Sequence, residues 1–150
     1  SSFIGCNLQG WIREKDENGR IREVKEWNHF NLSGLDLVVF SDEEVKKSSW
    51  DYFASRVKYV AVTSGSNGVY ISVSGKWSRI PSFSSNSVDT TGAGDVWSSA
   101  FMIFLQETKD IILSGNIANV AAGLSIEGIG FSKIPNRDVV QRKLHKAGIL

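Results

Sequence analysis

The sequence predicts a layered α/β domain, a mostly parallel sheet covered by helices, with a β-hairpin in the sheet. Three observations predict it. Leu35–Phe40 (LDLVVF) and Tyr59–Thr63 (YVAVT) are continuous apolar runs rich in β-branched residues, as in strands buried on both faces. Helical segments alternate with these runs, which implies helices packed on a parallel sheet. Val69–Val73 and Trp77–Ile80 alternate apolar and polar residues around Ser74-Gly75, the pattern of an antiparallel hairpin.

The remaining elements follow in order. Phe3–Cys6 is a short apolar run ending at Asn7 and reads as a strand. Gln9–Arg22 contains Asp16-Glu17-Asn18-Gly19, a turn signal within a polar excursion or hairpin. Ser41-Asp42-Glu43-Glu44 predicts a helix start, a cap residue followed by acids suited to the positive helix N-terminus. Trp50–Arg56 reads as a second short helix. Tyr59–Thr63 ends in the Gly-rich turn Ser64-Gly65-Ser66-Asn67-Gly68. Val96–Glu107 and Asp110–Glu127 are two helices, the second rich in small residues (NIANVAAGLS) and therefore suited to close packing. Gly128-Ile129-Gly130 predicts a left-handed stop for it. Asp138–Lys146 is a final amphipathic helix. No internal repeat or low-complexity linker interrupts the chain.

Composition narrows the function classes. A chain of 150 residues, 41% apolar and with a formal charge of +1, has the size and balance of one globular domain rather than a disordered segment. Its Lys and Arg residues are dispersed among acids, so it offers no basic stripe for nucleic acid or an anionic membrane. No apolar run approaches membrane-spanning length, and no basic segment leads into an apolar one at the start, so no secretory signal is expected. Cys6 is the single cysteine, which excludes an internal disulfide and fits a reducing, cytoplasmic setting. Asn31-Leu32-Ser33 matches a glycosylation sequon, which that setting would leave unused. His29 and His145 lie in unrelated polar contexts and take no role. The opening Ser-Ser-Phe-Ile-Gly runs directly into a strand, as the middle of a longer polypeptide would.

The chemistry concentrates in Asp89-Thr90-Thr91-Gly92-Ala93-Gly94-Asp95 (DTTGAGD), followed at once by an apolar helix. Gly92 suits a positive φ, and Gly94 lets a ligand approach the backbone. The N–H groups of residues 92–95 are the unsatisfied donors of the next helix, with its dipole behind them, and form an anion-binding cup. A carboxylate in the first turn, Asp95, would neighbour both a bound phosphate and a hydroxyl acceptor. That arrangement serves phosphoryl transfer: fixed donors for developing charge and a base for the alcohol proton. For an isolated Gly-x-Gly-Asp the plainer reading, a turn and a dipole-complementing acid, would be preferred.

DTTGAGDVWSSAF closely resembles the C-terminal signature of the PfkB, or ribokinase-like, family of carbohydrate kinases. The resemblance implies a ribokinase-like three-layer α/β/α fold, with this chain as its C-terminal part. It implies Asp95 as catalytic base and Gly92, Ala93 and Gly94 as the anion hole. It implies Asp89 and Thr91 as ligands of a monovalent cation such as K+. Thr63-Ser64-Gly65-Ser66-Asn67-Gly68 resembles the family's Thr-x-Gly-x-x-Gly loop, which places Thr63, Gly65 and Gly68 along the nucleotide; alone it is an ordinary hairpin turn. Asn119 resembles the asparagine beside the adenine, and equally reads as a helix-packing asparagine. Ser41 and Glu44 stand where the family has Asn-x-x-Glu: Glu44 matches the glutamate that organises magnesium, while Ser41 replaces the asparagine and puts its phosphate contact in doubt. Asn7-Leu8-Gln9-Gly10-Trp11-Ile12-Arg13 resembles the strand-end motif of members that phosphorylate myo-inositol or related polyols. Arg13 in it suits either a substrate contact or the protein surface.

The resemblance covers nearly the whole chain but only half of the family fold. Residues 1–150 are expected to be a single domain, the nucleotide-binding and catalytic half, without the N-terminal half and lid that hold the sugar. The expected function is ATP-dependent, magnesium-assisted phosphoryl transfer to a hydroxyl of a small sugar or polyol. The 150-residue chain alone is expected to be inactive, and to partner with the missing half or a second copy. The alternatives are a nucleotide-binding module without catalysis, and a nucleoside or sugar-phosphate kinase of the same fold.

Overall fold

The computed structural model describes residues 2–23 and 30–150. His29 and Trp27 lie outside the described residues. The described chain falls into two compact units: residues 1–62 with 71–77, and residues 63–70 with 78–150.

In the first unit, β1 (Gly5–Asn7) pairs in parallel with β4 (Leu37–Ser41), Gly5 opposite Leu37 and Asn7 opposite Val39. Cys6, in the middle of β1, is half-buried, and that burial pushes its thiol pKa up. Between these strands lies the excursion expected over Gln9–Arg22. It is a separate two-stranded antiparallel ribbon, β2 (Arg13–Lys15) and β3 (Ile21–Glu23). Asp16 ties its turn: Oδ1 accepts from the N–H groups of Asn18 (2.9 Å) and Arg20 (2.8 Å), and Oδ2 from Nε of Arg22 (3.0 Å). β4 buries Leu37, Val38, Val39 and Phe40, as its unbroken apolar run requires.

The helix expected to start at Ser41 does not form. The Ser41 N–H donates to Oε2 of Glu44 (2.9 Å), and the Glu44 N–H donates to Oγ of Ser41 (3.2 Å), the reciprocal pair of a capping box. The carbonyl of Val45 then accepts from Nε1 of Trp50 (2.9 Å), and Lys46 is extended (ψ 143°). The chain therefore leaves the helical path after one turn, and α1 begins only at Trp50 (Trp50–Ala54). It buries Trp50 and Phe53; the Phe53 ring lies 5.1 Å from Phe40, and Trp50 5.5 Å from Trp77. β5 (Tyr59–Thr63) follows with Val60, Ala61 and Val62 buried. β6 (Val69–Val73) and β7 (Lys76–Ile80) form the expected hairpin, turned by Ser74 (φ 48°) and Gly75 (φ 83°). The strand order is β1-β4-β5-β6-β7.

The second unit carries three helices. α2 (Ala93–Thr108) starts three residues before Val96, because Gly92 (φ 78°) supplies a left-handed N-cap that lets the helix begin inside the Gly-Ala-Gly stretch. α3 (Ile111–Ser125) is capped by Asp110, whose Oδ1 accepts from the Leu113 N–H (2.9 Å). α4 (Arg137–Lys146) is capped in the same way by Asn136. Ile117, Val120, Ala121 and Leu124 of α3 form one core with Val140 and Leu144 of α4. Within the stretch Gly128-Ile129-Gly130 expected to stop α3, Gly130 has the positive φ (56°), but the helix has already ended at Ser125 with Ile126 right-handed. Gly128 instead allows close packing, since a Cβ there would lie 2.4 Å from Cγ of Lys133. Among the described residues, no helix is long and apolar enough to cross a membrane.

The turn Ser64–Gly68 belongs to this unit. The Ser64 N–H donates to the Gly68 carbonyl (2.8 Å), and Gly68 sits at φ 91°. A Cβ on Gly68 would stand 2.2 Å from the Ile80 carbonyl oxygen; at Gly65 (φ 47°) it would meet open space. Gly68→Ala is therefore expected to cost about 3 kcal/mol or more, from left-handed strain plus overpacking, and Gly65→Ala about 1 kcal/mol from strain alone. Thermal unfolding of the two variants checks this: equal losses in Tm would contradict the crossing at Gly68.

Candidate functional site

A cavity of about 610 Å³ opens in the second unit. Its walls come from four places: the turn after β5 (Thr63, Gly65, Ser66, Gly68), the loop after β7 (Ser82–Ser85 and Ser87), the start of α2 (Thr90, Ala93, Gly94, Trp97) and one face of α3 (Asn119, Ala122, Gly123, Ile126). The sequence separates these segments by up to sixty residues; the fold brings them to one place. Thr63, Gly65, Gly68, Ala93, Gly94 and Asn119, all singled out in the sequence, line this one cavity.

The α2 terminus is built as an anion site requires. Gly92 turns the chain, the Ala93 N–H donates back to the Thr90 carbonyl (3.2 Å), and Gly94 and Asp95 occupy the first turn, where no intrahelical acceptor exists. A Cβ on Gly94 would meet nothing within 4 Å, so the backbone is open to a ligand. Asp95 follows directly on these lining residues and is exposed.

Asn119 is committed on both sides. Its Oδ1 accepts from Nε1 of Trp97 (2.7 Å), and its Nδ2 donates to the Pro81 carbonyl (2.7 Å). An indole only donates and a carbonyl only accepts, so the amide has one orientation. The helix-packing role left open in the sequence is present here, on a residue that also lines the cavity. Trp97 in turn stacks on Phe101, with centroids 4.9 Å apart.

Asp89 lies outside the cavity lining and joins two loops. Its Oδ1 accepts from the Thr91 N–H (2.9 Å) and its Oδ2 from the Gly130 N–H (3.1 Å). Donors from Thr91 first, then Gly130, hold its pKa below the ordinary aspartate value.

Ser41 and Glu44 belong to the first unit, where the capping-box pair fixes them. Arg13 approaches Glu44 there (Nη2 to Oε1, 3.7 Å), and the Gln9 side-chain amide, turned so that its oxygen faces the same guanidinium, would accept from it at 3.2 and 3.3 Å. Arg13 therefore faces protein groups. Among the described residues no three His, Cys, Asp or Glu side chains converge on a metal position.

Sequence reasoning missed Trp97, Phe83 and Gly123. Trp97 reads as one more apolar residue of an amphipathic helix. Gly123 had a signal, since it stands one helical turn after Asn119 and shares its face. A Cβ on Gly123 would lie 3.1 Å from Cδ1 of Phe83, so the glycine makes room for that ring.

Residues 22–137 match the model of the pfkB family of carbohydrate kinases. The chain is similar to a ribokinase of Bacillus subtilis, 43% identical over 84 residues that make up 55% of this chain and 29% of that protein. In structure it resembles a nucleoside kinase of Methanocaldococcus jannaschii (TM-score 0.68, 27% identity, 75% of this chain and 40% of the other). It also resembles a ribokinase of Arabidopsis thaliana solved with ribose and ATP (TM-score 0.67, 26% identity, 75% and 42%). The chain thus spans less than half the length of these proteins.

Asp89 gives a pH prediction. Its folded pKa lies below its unfolded one, so the contact stabilises fully above the ordinary aspartate value of 3.8 and is lost as pH falls through the lower folded value. The amide protection of Gly130 and Thr91 is expected to hold at neutral pH, fall in that acid window, and be lost at all pH values in Asp89→Ala. NMR amide exchange reads all three; unchanged protection in the variant would contradict the contact.

Proposed function

The chain belongs to the pfkB family of carbohydrate kinases, and on that premise we propose that it carries the nucleotide-binding and catalytic half of an ATP-dependent kinase acting on a small hydroxyl compound. The supporting observation is the start of α2: an open glycine backbone at a helix N-terminus, on the wall of a cavity, with a carboxylate in the same turn. The phosphate chain of ATP would lie against the N–H groups of Gly94 and Asp95, which accept the charge developing on the transferred phosphoryl group. Asp95 would take the proton of the acceptor hydroxyl as its oxygen attacks in line, with no phosphoenzyme.

The donor set suits a magnesium that arrives with the nucleotide. That ion keeps most of its water and is bound through phosphates and one or two carboxylates, so it needs no all-protein cage. Glu44 is the carboxylate that the family resemblance assigns to it, and the ion when bound would supply charge neutralisation to the nucleotide. Asp89 and Thr91 are assigned to a monovalent cation on the family resemblance. The acceptor pocket is assigned to the part of the relatives' length that this chain does not match. The acceptor class spans sugars and polyols, supported by the likeness to the ribokinases, with nucleosides as the alternative suggested by the likeness to the M. jannaschii nucleoside kinase.

ADP release by the full-length protein tests this, with magnesium, ATP and a panel of sugars, polyols, sugar phosphates and nucleosides. Turnover on a panel member is expected, and the 150-residue chain alone is expected to be silent. Asp95→Asn should lower kcat by on the order of 10²–10⁴ while nucleotide binding survives. Binding without turnover on any acceptor would favour a nucleotide-binding module instead, and unchanged turnover in Asp95→Asn would remove the base from its role.

A further inference from the structure

We propose that Arg13 sets how much magnesium the protein requires: its guanidinium balances the Glu44 carboxylate when no metal is bound and opposes the metal's arrival there. This rests on the assignment of Glu44 to magnesium made above and adds a control on that same carboxylate.

The fold brings the two residues together. β1 and β4 run parallel, so the segments that follow them leave from the same end of the sheet. That is the carboxyl end, where α/β folds place ligands. Gln9 and Arg13 follow β1, while Ser41 closes β4 and leads into Glu44. Leu8 and Ile12 are buried, and the N–H groups of Trp11 (2.7 Å) and Ile12 (3.1 Å) both donate to the Leu8 carbonyl. The backbone leading into Arg13 is therefore anchored in the core.

Only 16% of the Glu44 side chain is exposed, and its two oxygens are placed differently. Oε2 is held in the capping box by the Ser41 N–H (2.9 Å). Oε1 faces Nη2 of Arg13 at 3.7 Å. That separation is within Coulombic reach and too long for a hydrogen bond. The guanidinium thus balances the carboxylate without being bonded to it, and with 45% of its side chain in solvent it has room to shift. The Gln9 amide, turned toward the same guanidinium, would keep it on this side. A pair this open adds little to stability. Its effect falls on what else Glu44 can hold, because a divalent cation and the guanidinium seek the same oxygen. Displaced or retained, the positive charge of Arg13 raises the metal concentration needed. Asp42 and Glu43, the exposed acids beside Glu44, attract a cation with or without Arg13, so a change at Arg13 reads its own effect.

The test measures the free magnesium concentration that half-saturates ATP binding to the full-length protein, by calorimetry with no acceptor present. Arg13→Gln is expected to lower it by about threefold or more. Arg13→Lys, which keeps the charge, is expected to stay within about twofold of the wild type. Glu44→Gln is expected to raise it. A higher requirement in Arg13→Gln, the result if Arg13 only braced Glu44 or met a phosphate, overturns the proposal. An unchanged requirement in Arg13→Gln, with Glu44→Gln raised, overturns it too and leaves Glu44 at the metal. Arg13→Lys behaving like Arg13→Gln overturns the electrostatic account. No change in Glu44→Gln removes Glu44 from magnesium, and this inference falls with that assignment. Absence of ATP binding by the wild type overturns the nucleotide reading itself.

Discussion

The second unit depends on one buried amide. Asn119 sits on α3, takes its donor from α2 through Trp97, and gives a proton to the backbone just after β7 at Pro81. Three walls of the cavity are thereby referenced to a single side chain. In a low-dielectric interior such a bond is stronger than in water, and leaving either half unmet costs more than the bond contributes. Loss of the amide would release helix, helix and loop together. The small residues that surround it on α3 bring the helix close enough for these contacts, and Gly123 extends the same face under Phe83.

Backbone conformation does the rest. Two glycines set the cavity's rims for different reasons. Gly92 is needed for its left-handed φ, which starts α2 early enough to expose the N–H groups of the first turn. Gly68 is needed for space, because the strand end at Ile80 passes where its side chain would be. Neither role involves the ligand directly. Both decide where the ligand's phosphate and base would find protein.

Much of this was legible in the residue pattern. Tyr59–Thr63 and Val69–Val73 were readable to the residue, because each is a run of β-branched and aromatic residues closed by a glycine-containing turn. The grouping of Thr63, Gly65, Gly68, Gly94 and Asn119 was legible because motif order carries spatial information that composition lacks. The misreadings have local causes. Ser41–Glu44 carries an authentic helix-start pattern, and a local side-chain bond, from Trp50 to the Val45 carbonyl, takes the place of the next helical one. The stretch Gly128-Ile129-Gly130 was read as the end of α3, whereas the helix ends at Ser125, with the left-handed residue following at Gly130. The two bonds of Asn119 were illegible because their partners lie 22 and 38 residues away and one is a backbone carbonyl, which any residue at position 81 would supply.

The half-buried Cys6 on β1 has a practical consequence. Burial keeps its sulfur protonated at pH values where an exposed thiol begins to ionise, and only the thiolate attacks alkylating reagents. Cys6 therefore reacts more slowly with maleimides than an exposed thiol would. A cysteine placed at exposed Ser87, on the lip of the cavity, would be alkylated first. A fluorophore could then be seated beside the bound ligand without removing Cys6 from the strand.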